Sequence, residues 1–171
     1  MKYKKIALIG MMGCGKTTIA KILAKDLGLY LYESDEIFEN IEKISIKDYF
    51  NQFGEESFRQ KETRILTNIS QKENFILSTG GGIILKKENR DLLFNSNICT
   101  IYLETSADEI YERIKKDDKR PLLLVENPKE EIKKILNSRK NFYNLAKIKI
   151  KTDNKKIEDI IEEIKEILWK E

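Results

Sequence analysis

Histidine is absent from the 171 residues of this sequence. Its absence excludes histidine general bases, Ser-His-Asp triads and zinc sites of the HExxH type. Only two cysteines are present, and Cys14 and Cys99 are too far apart to form a CxxC pair. We therefore expect two reduced thiols and no disulfide. Chemistry in this chain depends on carboxylates, lysine, arginine, hydroxyls, backbone groups and bound metal.

Long apolar runs are also missing. No stretch approaches the roughly 20 residues that a membrane-spanning helix requires. The N-terminal residues 1–5 lead into an apolar stretch that is too short for a signal peptide. We expect a soluble, cytoplasmic protein that has no membrane partner.

Neither sign of charge dominates, because 32 basic residues nearly balance 29 acidic ones and leave a net charge of +3. The signs alternate along the chain, which is evidence against a nucleic-acid partner. The length fits a single domain spanning residues 1–171. No long apolar stripe is left over once the core is assigned, so we expect a monomer.

Strand-like and helix-like stretches alternate along the whole sequence. Strands are predicted at 5–10, 29–33, 75–79, 97–104 and 146–151, and helices at 16–27, 35–71, 86–94, 107–115, 129–143 and 155–169. This alternation predicts an α/β fold with a parallel sheet covered by helices on both faces. The ligand crevice of such folds lies at the carboxyl ends of the strands. Residues 115–128 are highly charged and hold both prolines, which predicts a mobile loop.

Residues 10–17, GMMGCGKT, match the phosphate-binding pattern GxxxxGK[ST] between a strand and a helix. The glycines let backbone N–H groups surround phosphates, Lys16 can reach the β- and γ-phosphates, and the Thr17 hydroxyl can bind Mg²⁺. The alternative is a glycine turn with a solvent-exposed lysine. The expected nucleotide-binding residues are Gly13, Cys14, Gly15, Lys16, Thr17 and Thr18, with Cys14 as a small filler. An NKxD guanine signature is absent, which disfavours a GTPase switch.

Acidic residues follow the second predicted strand in the sequence Glu33-Ser34-Asp35. Asp35 could accept a proton from a substrate hydroxyl or orient it, and either acid could hold Mg²⁺ through water. The alternative is that Ser34 or Asp35 only caps the next helix.

Three successive glycines, Gly80, Gly81 and Gly82, follow the third predicted strand. A plain turn rarely needs three glycines, so the run favours close approach of a ligand to the backbone.

Three arginines are candidates for anion binding. Arg139 falls in register with the apolar stripe of its helix, and Arg59 shares a helix face with Glu62. A buried charge needs an anionic partner, and a guanidinium fits a carboxylate well. For Arg59 the alternative is an ion pair with Glu62. Arg120, within residues 115–128, could act as an arginine finger on a transferred phosphate or remain a solvated loop residue.

Taken together, these motifs resemble the shikimate kinase family across nearly the whole chain. The matching elements, in family order, are the phosphate loop 10–17, Ser34-Asp35, Phe58-Arg59 with Glu62, Gly80-Gly81-Gly82, the RPLL segment 120–123, and Arg139 followed by Tyr143. The resemblance implies a three-layer α/β/α fold of the P-loop kinase type, with a five-stranded parallel sheet and a lid at about 115–128. It further implies transfer of phosphate from ATP, with Mg²⁺, to the 3-hydroxyl of shikimate in aromatic amino-acid (chorismate) biosynthesis.

The resemblance also implies roles for individual residues. Asp35 would bind the ring hydroxyls and act as the base or help position it, while Arg59 and Arg139 would clamp the carboxylate. The backbone of residues 80–82 would receive the ring, and Phe50 and Phe58 would wall the pocket. On the nucleotide side, Lys16 and Arg120 would contact the phosphates, and Arg113 and Asn154 would flank the adenine.

One position departs from the family pattern. The family commonly has Asp-x-Asp after the second strand, whereas this chain has Glu33 at the first acidic position. The longer side chain puts its water-mediated contact with Mg²⁺ in doubt. The rival functions are another small-molecule kinase, such as a gluconate or nucleoside monophosphate kinase, and a nucleotide-binding protein without catalysis.

Overall fold

The protein is described by a computed structural model that covers residues 2–94, 96–115 and 125–170. The strands are β1 (Lys5–Ile9), β2 (Tyr30–Glu33), β3 (Phe75–Ser78), β4 (Cys99–Glu104) and β5 (Ile148–Lys151). They form one parallel sheet in the order β2-β3-β1-β4-β5. The helices are α1 (Lys16–Leu27), α2 (Ser34–Glu42), α3 (Ile46–Ser70), α4 (Lys87–Phe94), α5 (Ala107–Ile114), α6 (Pro128–Tyr143) and α7 (Ile157–Lys170), with a 3₁₀ turn at Ile83–Leu85. The predicted fold class is confirmed.

The central strand β1 is buried along its entire length because helices cover both of its faces. Ile6 and Leu8 pack in one hydrophobic cluster with residues of α1 and α7. Ala7 and Ile9 face the opposite cluster, which includes Phe38 of α2 and residues of α3. Alternate side chains of one strand therefore join two core layers, and this gives the three-layer architecture.

Strand register brings the predicted motifs to one edge of the sheet. Leu8 of β1 and Glu33 of β2 are both opposite Ser78 of β3. The segments that follow these three strands, the phosphate loop, the start of α2 and the glycine run, consequently lie side by side. The cleft expected at the carboxyl ends of the strands is where these segments meet.

The predicted helical region 35–71 is two helices. Lys43 ends α2 in the left-handed conformation with φ 60°. Ser45 then begins α3, since its side chain accepts a hydrogen bond from the Asp48 N–H. Gly54, with φ 77°, interrupts the helical conformation within α3. On α1, Ile19 and Leu23 are buried and supply the inward contacts of the helix, whereas Ile22 is exposed.

Neither Cys14 nor Cys99 forms a disulfide, as expected, and both side chains are buried. Over residues 2–94, 96–115 and 125–170, no helix has the length and apolar character needed to cross a membrane.

Candidate active site

A cleft of about 800 Å³ opens at the carboxyl edge of the sheet. Nine of the predicted site residues line it: Gly13, Cys14, Gly15, Lys16, Thr17, Thr18, Asp35, Gly81 and Arg113. Four others lie at the glycine run beside this cleft. Gly80 and Gly82 belong to the run, and Arg59 and Arg139 contact it. Arg120 and most of the predicted lid segment fall in residues 116–124, outside the described part of the chain.

The phosphate loop has the backbone shape of an anion cradle. Gly10, Gly13 and Gly15 all have positive φ, at 149°, 80° and 97°. A Cβ atom on Gly13 would lie 2.6 Å from Cγ2 of Ile114, so a larger residue does not fit there. Gly15 precedes α1 without any side-chain cap, which leaves the first N–H groups of the helix available to an anion.

Lys16 points into the phosphate loop and is 8% exposed. Its Nζ donates to the carbonyls of Gly10 at 2.9 Å and Met11 at 3.0 Å. The alternative of a solvent-exposed lysine is therefore wrong. These contacts hold the ammonium at the loop that the motif predicts to bind phosphates.

Oxygen ligands suitable for Mg²⁺ lie next to the phosphate loop. The Thr17 and Ser78 hydroxyl oxygens are 3.3 Å apart, and Glu33 and Asp35 line the same cleft. Hydroxyl and carboxylate oxygens are the ligands that Mg²⁺ prefers, together with phosphate oxygens of a substrate. Glu33 pairs with Lys21, with 3.0 Å between its Oε1 and Nζ. The residues present thus fit a magnesium–nucleotide complex, with Glu33 partly neutralised by a lysine of α1.

Asp35 lies in the first turn of α2 and lines the cleft, where part of the residue is exposed while its carboxyl group lies against Gly80. Its pKa is raised above the ordinary aspartate value because desolvation in the cleft outweighs the attraction of Lys16 and a hydrogen bond from Ser34. The helix-capping alternative is wrong, since the cap of α2 is Glu33 and makes no side-chain cap bond. The Ser34 hydroxyl instead accepts the Gly80 N–H at 2.8 Å. It thereby ties the start of α2 to the glycine run.

Glu62 is a component of the site to which the sequence assigned no role of its own. It is 3% exposed, and its Oε1 has no hydrogen-bond partner among the described residues. A Cβ on Gly80 would lie 2.8 Å from this oxygen and 2.7 Å from Oδ1 of Asp35, so both carboxyl groups converge on Gly80. Burial raises the pKa of Glu62 more than Arg59 lowers it. The detectable sequence signal was the three-residue spacing between Arg59 and Glu62.

Arg59 forms the ion pair that the sequence left open as an alternative. Its guanidinium lies 2.8 Å from Glu62 and 3.2 Å from Glu55. It also lies 5.0 Å from the ring centre of Phe58. A Cβ on Gly82 would come within 2.4 Å of Arg59 Nη2, so the guanidinium packs directly on this glycine.

Arg139 approaches the glycine run from α6. Its Nη1 donates to the Gly81 carbonyl at 2.9 Å, and the Tyr143 hydroxyl donates to the same oxygen at 3.3 Å. Two arginines therefore contact neighbouring glycines, Arg59 at Gly82 and Arg139 at Gly81. This places two positive charges beside a backbone that has no side chains, close to Asp35.

At the other end of the cleft, Arg113 connects the phosphate loop to the end of the sheet. It donates to the carbonyls of Cys14 at 3.3 Å and Thr152 at 3.5 Å. Asn154 has a left-handed backbone with φ 57° and does not itself line the cleft. The next residues, 155–158, do line it, and sequence reasoning missed them.

Comparison with known proteins identifies the family. The family model for shikimate kinase matches residues 12–169. The shikimate kinase of Legionella pneumophila strain Corby is 38% identical over 172 residues, covering 100% of this chain and 98% of that protein. The shikimate kinase of Actinobacillus pleuropneumoniae serotype 5b is 40% identical over 166 residues, covering 96% of this chain and 95% of that protein.

Solved structures agree with the sequence comparisons. Shikimate kinase from Acinetobacter baumannii, in complex with shikimate, superposes with a TM-score of 0.92 at 32% identity, covering 98% of this chain and 94% of that one. Shikimate kinase from Aquifex aeolicus gives a TM-score of 0.84 at 34% identity, covering 96% and 95%. A gluconokinase from Sinorhizobium meliloti, at 14% identity and a TM-score of 0.57, shares the fold alone. The family, the enzyme class and the kinase function predicted from the motifs are confirmed, and this chain belongs to the shikimate kinase family.

Proposed function

We propose that the protein transfers the γ-phosphoryl group of Mg-ATP to the 3-hydroxyl of shikimate, releasing shikimate 3-phosphate and ADP. One observation carries the assignment of the acceptor site. Arg59 and Arg139 both contact the glycine run, and Asp35 lies against the same run at Gly80. Paired guanidiniums suit a carboxylate, and an adjacent aspartate suits hydroxyl groups. A small hydroxy acid such as shikimate presents both.

The phosphate loop is the proposed binding site for ATP. Mg-ATP, when bound, supplies the phosphoryl group and part of the charge neutralisation that its transfer requires. Residues 13–18 would surround the phosphates with N–H groups, Lys16 would neutralise their charge, and Thr17 would ligate Mg²⁺. Arg113 and Asn154 would lie near the base. Arg120 is proposed to reach the transferred phosphate.

Asp35 is the proposed base or positioning group for the acceptor hydroxyl. It lies in the same cleft as Lys16, so a hydroxyl held by Asp35 would face the phosphate loop. The raised pKa of Asp35 makes its carboxylate a better proton acceptor than an ordinary aspartate. Because phosphoryl transfer depends mainly on positioning and electrostatics, this alignment is the main contribution of the protein.

Arg59 and Arg139 are the proposed carboxylate clamp. Glu62 and Glu55 hold Arg59 in place through ion pairs, and the Gly81 carbonyl holds Arg139. Phe50 and Phe58, with ring centres 4.6 Å apart, would form an apolar wall next to Arg59. The proposed working form is a cytoplasmic monomer without nucleic-acid or membrane partners.

Kinetic measurements in which both the enzyme and the acceptor are varied test the carboxylate clamp. Steady-state ADP release is measured for wild type and Arg139→Ala, each with shikimate and with its uncharged carboxamide analogue. We expect Arg139→Ala to raise the KM for shikimate by about 100-fold, to leave the KM for ATP nearly unchanged, and to affect the carboxamide much less. An equal loss for both acceptors, or a loss of ATP binding alone, would show that Arg139 does not bind the carboxylate.

A further inference from the structure

The glycine run forms one hydrogen-bonded unit with the 3₁₀ turn that follows it. The Ile83 N–H donates to the Gly80 carbonyl at 3.2 Å, and the Leu85 N–H donates to the Gly82 carbonyl at 3.0 Å. A movement of the turn would therefore move the glycines that contact Arg59 and Arg139.

Every carbonyl of this turn accepts a hydrogen bond from a side chain of α4. Asn89, which is fully buried, donates Nδ2–H to the Ile83 oxygen at 2.9 Å. Arg90 donates Nη1–H to the Ile84 oxygen at 2.9 Å and to the Leu85 oxygen at 2.8 Å. A short turn normally leaves such carbonyls to water or to a following helix. Here two consecutive side chains fix all three.

Arg90 also connects the turn to the helix that carries Arg139. Its guanidinium carbon lies 4.1 Å from the ring centre of Phe142 in α6, close enough for a cation–π contact. Tyr143, the next residue of α6, donates to the Gly81 carbonyl, as does Arg139 one turn earlier. Arg90 thus contacts both the 3₁₀ turn and α6, the two segments that are hydrogen-bonded to the glycine run.

We propose that Asn89 and Arg90 form a latch that sets the position of the glycine run relative to Arg139, and thereby the affinity for the carboxylate of the acceptor. Neither residue lines the cleft, so both are positioning residues. The inference rests on the proposed function, because it concerns the same acceptor site. It adds two residues that do not line the cleft but affect acceptor binding through the glycine run.

The latch predicts a selective kinetic defect. Arg90→Ala should raise the KM for shikimate on the order of tenfold, since small displacements of binding groups have large effects, while the KM for ATP stays nearly constant. Arg90→Lys keeps the charge and a donor for the turn but lacks the planar guanidinium that packs on Phe142, so its defect should be intermediate. Phe142→Leu, which removes the ring under Arg90, should shift the shikimate KM in the same direction.

Lys87→Ala provides the matched control on the same helix, because Lys87 is exposed and its ion pair with Asp91 lies on the surface. Its shikimate KM should match that of wild type. All variants are assayed well below their melting temperatures, so that a purely structural role would leave the ratio of the two KM values unchanged.

The outcomes separate the two proposals. An unchanged shikimate KM in Arg90→Ala, or parallel changes for shikimate and ATP, would overturn the latch while the wild-type turnover with shikimate stands. If Arg90→Ala does not fold, Arg90→Lys and Phe142→Leu decide the matter by the same KM ratio. Absence of shikimate-dependent turnover in the wild-type enzyme would overturn the proposed function and the latch together.

Discussion

Glu62 holds Arg59 through one carboxylate oxygen, 2.8 Å from Nη1, and leaves its other oxygen buried beside Gly80. A guanidinium that faces inward without an anion would be costly, so this pair explains how Arg59 can lie next to Gly82. The second ion pair, to Glu55, is at the exposed side of the same guanidinium. Arg59 is consequently oriented before any acceptor arrives.

Removal of Glu62 should therefore destabilise the fold. We expect Glu62→Ala to lower the free energy of unfolding by about 3 kcal/mol, because it breaks a buried pair. Glu55→Ala removes the exposed partner of the same arginine and should lower the free energy of unfolding by less than about 1 kcal/mol. Urea unfolding of both variants measures the difference. Equal effects would mean that burial of Glu62 does not strengthen its pairing with Arg59.

Gly82 should be intolerant of a methyl group for a reason specific to the acceptor site. Its φ of −104° is open to alanine, but the added Cβ would lie 2.4 Å from Arg59. Gly82→Ala should displace Arg59 and raise the shikimate KM by about tenfold or more. Gly28→Ala is the reciprocal control, because Gly28 has open space but a strained φ of 64°. That variant should lose stability and keep its shikimate KM.

Lys16→Met should reduce turnover by about 100-fold or more, because it removes the positive charge at the centre of the phosphate loop. The fold should persist, since methionine fills a similar space in a largely buried position. Lys25→Met, at an exposed position of the same helix, controls for loss of a lysine from α1. Turnover and circular dichroism are compared for the pair. Near-normal turnover in Lys16→Met would contradict its assignment as a phosphate ligand.

Asp35→Asn should lose turnover by orders of magnitude while gaining stability near neutral pH. The pKa of Asp35 is raised in the folded protein, so its ionisation opposes folding as pH rises from the ordinary aspartate value through the folded value. The free energy of unfolding of Asp35→Asn should exceed that of wild type at pH 7. The advantage should disappear below the ordinary aspartate range, where the wild-type carboxyl is protonated in both states. A variant that is less stable than wild type at pH 7 would contradict the sign of this shift.

Activity should show the corresponding pH dependence. If Asp35 must be ionised, kcat/KM for shikimate should fall as pH decreases through a pKa above the ordinary aspartate value. Glu62, whose pKa is also raised, lies beside the same glycine and should contribute to the same limb. A pH–rate profile of wild type and Glu62→Gln would distinguish the two carboxyl groups.

Local patterns were sufficient for much of the fold. The limits of α1 were predicted to the residue, because a glycine loop precedes it and Gly28 ends it in a left-handed cap. The break between α2 and α3 was missed, since no glycine or proline marks it and Lys43 itself adopts φ 60°. Strand ends were predicted one or two residues too long, because hydrophobicity does not indicate where pairing stops.

The candidate site was predictable where its residues are contiguous. The phosphate loop is one segment, and its sequence alone indicates its geometry. The contacts of Ser34 and Glu62 with Gly80, and those of Arg90 with the turn, join segments far apart in sequence. They depend on how the strands align, which local periodicity does not encode.

The central claim is tested most directly by ADP release from Mg-ATP with shikimate, gluconate or a nucleoside monophosphate as acceptor, followed by identification of the phosphorylated product. We expect strong turnover with shikimate alone and a product phosphorylated at the 3-hydroxyl. Turnover with gluconate or a nucleoside monophosphate but none with shikimate would contradict the proposed acceptor and leave the phosphate loop assignment in place. ATP binding without turnover on any acceptor would contradict catalysis itself.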